Sequence, residues 1–170
     1  MKVIASTSYF LAISLILAGC SLRYVPSELS LEPARIPPFK RVGTVTLTNA
    51  HESSEDISVS IPGATVTVNY KEYTDLVIKL LKSELDKRKE EITVSTPKVI
   101  TVAIDDLKMF PMVGNFRCII NYTVKTGDGY VRGIEVLVGS WNYRTAIDMA
   151  VANVAVGVLN DEKILSYLEK

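Results

Sequence analysis

The sequence predicts an α+β fold in which a mostly antiparallel sheet carries two main helices packed on one face. Segments whose apolar residues alternate at a period of two predict strands, and segments with apolar residues at three- and four-residue steps predict helices. Along the 170 residues these segments occur in the order strand, hairpin, helix, three strands and helix. Short turns join several of the consecutive strands, which favours antiparallel pairing.

The first half of the chain predicts a strand, a hairpin and a helix. Residues 41–48 are rich in β-branched side chains and alternate toward their end, so they predict a strand. Residues 57–61 and 64–68 alternate on either side of Pro62-Gly63, a pair that suits a type II turn, and predict a β-hairpin. Residues 70–91 place apolar side chains opposite a charged face, which predicts an amphipathic helix that covers the sheet.

The second half begins with three strands. Residues 98–105 are almost continuously apolar, so we expect a central strand with both faces at least partly covered. Residues 115–125 and 130–138 predict a strand pair joined by a turn at residues 126–129. Alternation along the first arm of this pair places Cys118 on the core side.

Two helices follow these strands. Residues 146–159 are rich in Ala and Val around most of the helix circumference, which predicts a helix buried on more than one side. Thr145 and Asp148 have the spacing of a capping box at its start. Asn160-Asp161 is then expected to begin a short terminal helix.

The N-terminus has the features of a secretory signal peptide. Lys2 gives a positive start, and residues 3–17 are apolar or small but too short to span a bilayer. Leu17-Ala18-Gly19-Cys20 then resembles the bacterial lipobox, which implies that Cys20 becomes the first mature residue and is acylated. Ser21 is not the Asp that retains such lipoproteins in the inner membrane of enteric-type bacteria, so we expect the outer membrane, with the inner membrane as the alternative. An uncleaved anchor with an incidental cysteine is the other interpretation.

These features divide the chain into three parts. Residues 1–19 are the signal peptide, residues 20–38 are the lipidated cysteine and a proline-containing tether, and residues 39–170 are a single α+β domain. We expect Ile36 and Phe39 to pack on the domain. The 19 basic residues balance the 19 acidic residues, and no basic stripe is present, which argues against nucleic acid as a partner.

The sequence contains no catalytic or cofactor motif, so we expect neither enzyme activity nor a cofactor. His51, the only histidine, lies near several carboxylates, but the run lacks a metal-ligand spacing, and we interpret it as a solvated loop. Cys118 is the one cysteine besides Cys20 and has no neighbouring base, so we interpret it as a small core residue rather than a nucleophile.

An uncharged stretch, Met109-Phe110-Pro111-Met112-Val113, follows the central strand. Proline is expected to stop a continuing central strand, so these residues form either a loop folded onto the core or an exposed apolar tip. In the second case Met109, Phe110 and Met112 could contact a partner protein or lipid.

The order of elements and the lipobox together resemble the small α/β lipoproteins of the YajG type. More loosely, they resemble the LPS-assembly lipoprotein LptE and auxiliary lipoproteins of ABC transport systems. The resemblance lies in the helix with Leu80, Leu81 and Leu85, the strand from Val99 to Asp105, and the end from Trp141 to Leu168. It implies a non-catalytic binding or assembly module of the cell envelope, anchored by Cys20 to the periplasmic face of the outer membrane, with an envelope protein or lipid as partner. A subunit of a lipid transport system and an envelope hydrolase are the alternatives.

Overall fold

The computed structural model describes residues 21–26, 29–61, 64–90 and 97–170, and it confirms the α+β fold. The signal peptide, Cys20 and the Pro62-Gly63 turn lie outside the described residues. The described strands are β1 (Ser21–Arg23), β2 (Arg41–Val42), β3 (Val45–Asn49), β4 (Asp56–Ile61), β5 (Ala64–Asn69), β6 (Lys89–Glu90), β7 (Lys98–Met112), β8 (Asn115–Thr126) and β9 (Val131–Ser140). The described α-helices are α1 (Tyr70–Lys87), α2 (Tyr143–Val158) and α3 (Glu162–Glu169).

The main sheet has the strand order β3-β7-β8-β9. β7 pairs with β8 and β8 with β9 in antiparallel fashion, whereas β3 joins β7 in parallel. β7 is therefore central along its first residues, as expected. A second sheet has the order β1-β5-β4, in which β4 and β5 form the expected antiparallel arms of the hairpin.

The core lies between one face of the main sheet and the helices α1 and α2. Alternate residues of β7 and β8 face it, and helix side chains cover them from the other side. Fully buried members include Tyr73 and Leu81 of α1, Tyr122 of β8, and Ile147 and Val154 of α2. Because α1 and α2 contact each other as well as the sheet, both main helices pack on the same face.

β7 is longer than the sequence predicts, because it continues through Pro111 to Met112. The expectation that proline would stop the strand was wrong for a specific reason. β3 pairs with β7 only as far as Val102, so beyond that point β8 is the only described strand that pairs with β7. A proline, which lacks the backbone N–H, is tolerated on such an edge.

A β-bulge in β7 also changes which residues face the core. Ile104 pairs with Tyr122, but the next rung joins Asp106 to Asn121, so Asp105 is the extra residue. Buried positions are even-numbered before the bulge and odd-numbered after it. The bulge therefore turns Met109 toward the core and Phe110 away from it.

The helix ends differ from the sequence predictions at two places. α1 ends at Lys87 rather than near residue 91, because the chain leaves the helix to pair β6 with β2. α2 begins three residues early, at Tyr143, with the side chain of Asn142 accepting a hydrogen bond from the N–H of Arg144. The predicted capping box of Thr145 and Asp148 is thus wrong, since Asn142 supplies the cap.

The described residues between Ser21 and Phe39, most of which were expected to form a tether, contact the domain. β1 pairs with β5, and the backbone N–H of Tyr24 donates to the carbonyl of Thr67 at 3.1 Å. Ile36 and Phe39 are buried, as expected. Asn160 holds the same stretch by donating to the carbonyl of Arg35 at 2.9 Å.

Candidate contact surface

The predicted apolar stretch forms the end of the β7–β8 hairpin, and the structure divides its side chains between two environments. Met109 is buried in the core, whereas Phe110 and Met112 are 44% and 46% exposed. Neither sequence interpretation therefore applies to the whole stretch. Val113 and Gly114 form the two-residue connection, in which Gly114 has a φ of 75°, a value that favours glycine. Val113 is fully exposed at this tip.

Strand register brings two further apolar side chains to the same region. Phe110, Arg117 and Gly139 lie side by side on β7, β8 and β9. Two residues further along the same face of the sheet, Ile119 of β8 pairs with Leu137 of β9. Leu137 is 53% exposed, and Trp141, which follows β9, is 78% exposed. We call Phe110, Met112, Val113, Leu137 and Trp141 the apolar end surface.

The sequence analysis missed Leu137 and Trp141. Leu137 lies within an alternating strand and Trp141 directly follows that strand, and alternation alone does not show that the end of β9 lies two strands from Phe110. The available signal was the length of the two hairpins: if β7, β8 and β9 pair fully, the end of β9 must return to the β7–β8 turn.

Arg117 borders the apolar end surface, and Arg144 packs on two tyrosine rings on the core side of the sheet. Arg117 is exposed on the rung between Phe110 and Gly139. The guanidinium of Arg144 lies 5.7 Å from the ring centroid of Tyr143 and 5.8 Å from that of Tyr24. Neither arginine forms an ion pair with an acidic side chain within the described part of the chain. This end of the molecule therefore combines exposed apolar side chains with positive charge.

An aromatic and hydrogen-bonded cluster supports this end from the core side. Tyr143 contacts Tyr24 at 6.3 Å and Phe116 at 6.2 Å between ring centroids. The hydroxyl of Tyr24 donates to Asp148 at 2.7 Å, and Tyr73 donates to the carbonyl of Tyr24 at the same distance. Burial raises the pKa of Asp148 above its usual value, although the hydrogen bond from Tyr24 opposes that shift. The cluster fixes β1 to both main helices.

Cys118 lies in the core, as the alternation of β8 predicts. Its side chain is fully buried and forms no disulfide. Burial raises the pKa of the thiol to about 12, so the thiol is protonated near neutral pH. Because the nucleophile would be the thiolate, this environment suits a core residue.

His51 is half-buried, whereas the residues after it, from Glu52 to Glu55, are exposed, as expected for a solvated loop. One ring nitrogen, Nε2, lies 2.9 Å from the carbonyl oxygen of Ile104, and the backbone N–H of His51 donates to Asn49 at 2.8 Å. These contacts fasten the loop after β3 to the middle of β7. Within the described residues, no three His, Cys, Asp or Glu side chains come together in a way that could hold a metal ion.

The structure also contains a surface cavity of about 450 Å³ at the opposite end of β7, lined by residues that include Lys98, Asp128 and Tyr167. The ammonium of Lys98 donates to the carbonyls of Val42 and Leu168 at 2.5 and 3.2 Å. Burial, reinforced by the charge of Arg41, lowers the pKa of Lys98. Lys98 thus binds the last turn of α3, which is a structural role.

Comparisons with known proteins leave the family of this chain open. No described helix is both long enough and apolar enough to cross a membrane. No protein-family profile and no curated protein sequence gives a match. Among solved structures, the chain is similar to a PelC dodecamer from Paraburkholderia phytofirmans, with 12% identity and a TM-score of 0.35 over 81% of this chain and 95% of that one. A likeness this weak carries no argument about function.

Proposed function

We propose that this protein is a non-catalytic binding or assembly module of the bacterial cell envelope, anchored through Cys20 to the periplasmic face of the outer membrane. The observation that carries the proposal is the apolar end surface. Five large apolar side chains are exposed together at one end of a domain that has an extensive core. The other large apolar side chains that are exposed in the described part of the chain are Leu22, Val25, Val99, Val131 and Met149. A cluster of this kind marks a contact site more often than a chance arrangement.

The architecture around the surface suits binding. Phe110 and Met112 lie on a hairpin whose strands continue along the core. Met109, the residue before Phe110, is buried and attaches this end of the hairpin to the core. The backbone that carries the surface is therefore held rigidly, which lowers the entropy lost on contact. Met and aromatic side chains give a contact surface that adapts to its partner.

The lipid anchor enters the proposal from the sequence. The Leu17-Ala18-Gly19-Cys20 motif at the end of an apolar leader supports lipidation of Cys20. Several acyl chains on one residue would hold the protein stably, since each buried methylene contributes about 0.8 kcal/mol. The domain would then act only on partners within reach of the membrane.

Crosslinking in intact cells tests the proposal. A photo-crosslinking phenylalanine analogue at position 110 should give adducts with a partner molecule, because Phe110 is exposed within the contact surface. The same analogue at Val131, which is also exposed but lies at the other end of β9, is the matched control and should give none.

A second variant separates contact from stability. Phe110→Ser combined with Met112→Ser should keep the melting temperature, since both side chains are about half exposed, and should abolish adducts from an analogue at position 137. A fall in melting temperature of several degrees with unchanged adducts would show that these residues serve only the fold.

A further inference from the structure

We infer that the apolar end surface docks on the lipid bilayer that holds Cys20, so that the domain sits directly on the membrane. This inference rests on the proposed lipid anchor. It names lipid as the partner of the surface, and it fixes the orientation of the domain.

The described chain starts within a paired strand. Ser21 pairs with Thr65 as the first residue of β1. Cys20 is the preceding residue, and consecutive Cα atoms are about 3.8 Å apart. An acylated Cys20 would therefore be covalently next to a residue that pairs with β5.

A short stretch of chain and two ring contacts connect Ser21 with the apolar end surface. Ser21 is three residues from Tyr24, which is at most about 11 Å of extended chain. The ring of Tyr24 contacts Tyr143, and the ring of Tyr143 contacts Phe116. Phe116 pairs with both Pro111 and Ser140, at the rung next to Phe110 and Trp141. Ser21 and the surface are thus connected by at most about 11 Å of chain and two ring contacts, which allows the acyl chains and the surface to reach the same bilayer.

The side chains of the apolar end surface suit a membrane–water interface. Val113 is fully exposed at the tip of a protruding hairpin, and Phe110 and Met112 flank it. Trp141 is an indole at the same end, and tryptophan favours the membrane–water interface. Arg117 lies on the rung between Phe110 and Gly139 and forms no ion pair in the described part of the chain, so its guanidinium is available to a lipid phosphate.

The anchor itself favours lipid over a protein partner. Once Cys20 is in the bilayer, contact between the surface and lipid is intramolecular in effect, so a weak affinity is enough. A protein partner would have this advantage only if it were itself held at the membrane.

Fluorescence quenching tests the inference, because Trp141 is the only tryptophan in the chain. The full lipidated protein is incorporated into phosphatidylcholine vesicles that contain a doxyl-labelled lipid. We expect about a twofold loss of Trp141 emission and a blue shift, since an indole at the headgroup level is close to the quencher. Adding phosphatidylglycerol should increase the quenching, and Arg117→Gln should reduce that increase.

The matched control moves the tryptophan to the other end of the same strand. Trp141→Phe combined with Val131→Trp should retain full emission in the same vesicles. Phe110→Ser combined with Met112→Ser should weaken quenching of Trp141 while vesicle flotation and melting temperature stay unchanged.

The outcomes separate this inference from the proposed function. If the protein floats with the vesicles but Trp141 is quenched no more than the control tryptophan, the docking inference is wrong and the anchored module stands. Protein adducts instead of lipid adducts from position 110 in cells would also overturn docking. If the protein does not float, the lipid anchor fails and docking fails with it.

Discussion

Asp161 shows how a single buried carboxylate joins three parts of this fold. One of its oxygens accepts the backbone N–H groups of Lys163 and Ile164, which caps α3. The other accepts from the hydroxyl of Tyr130 and from the guanidinium of Arg132. Burial alone would raise the pKa of Asp161, but the N–H of Ile164 and the guanidinium of Arg132 outweigh it and hold the pKa below its usual value.

We expect Asp161→Asn to cost about 1–3 kcal/mol of unfolding free energy near neutral pH, since the amide keeps a cap but loses charge-assisted hydrogen bonds. Because the folded pKa is lowered, the stabilisation is present above the ordinary carboxylate pKa and is lost as the pH falls through the folded value. Urea unfolding of both proteins should therefore show a difference that shrinks in acid. Glu52→Gln, at an exposed position, is the control variant. If the difference in unfolding free energy between wild type and Asp161→Asn did not change with pH, the lowered pKa would not belong to Asp161.

Cys118 gives a second prediction at the residue scale. Since burial raises its pKa to about 12, the native thiol should resist iodoacetamide near neutral pH and react fully in urea, as measured by intact mass. Cys118→Ser should unfold at lower denaturant concentration than Cys118→Ala, because a buried hydroxyl without a partner costs about 1–3 kcal/mol. Rapid alkylation of the native protein would show that the thiol is accessible.

At the scale of elements, the sequence patterns predicted α1, α2 and the two hairpins because each has a periodicity that repeats over several residues. β1, β2 and β6 have only two or three residues, too few for a period to be visible. The extension of β7 past Pro111 depends on where β3 stops pairing with it, and this is set by tertiary structure rather than by the local sequence. The bulge at Asp105 likewise determines that Met109 is buried while Phe110 is exposed. The sequence therefore predicted where the candidate surface lies, but not which residues belong to it.

The packing of α2 on β8 yields a prediction about two elements. A Cβ on Gly157 would overlap the hydroxyl of Tyr122 and lie 3.3 Å from its ring carbon Cζ. That hydroxyl is buried and has no hydrogen-bond partner within the described residues. Gly157→Ala should thus destabilise by about 1–3 kcal/mol through overpacking, although alanine is the better helix former.

The double variant tests the cause. In a Tyr122→Phe background the hydroxyl is gone, so Gly157→Ala should cost clearly less, and Tyr122→Phe alone should be close to neutral because it removes an unpaired polar group. The coupling is measured as a double-mutant cycle from denaturant unfolding. Additive effects would mean that the two residues do not meet.

At the scale of the whole molecule, the described parts near both ends of the chain are held on the domain. β1 pairs with β5, and the last turn of α3 is bound by Lys98. The extended tether expected from the prolines is replaced, over the described residues, by contacts such as those of Ile36 and Phe39. A lipid on Cys20 would therefore restrain the orientation of the domain as well as its location.

The lipid anchor is tested by the two cysteines of the chain. We expect Cys20→Ala either to release the protein from the membrane fraction or to leave the signal peptide uncleaved, because the acylated residue is lost. Cys118→Ala is the matched control and should remain in the membrane fraction, since Cys118 is buried in the core. Intact-mass measurement of the wild-type protein should show a chain that begins at Cys20 and carries added acyl mass. A mature protein without that mass would overturn both the anchor and the membrane orientation that depends on it.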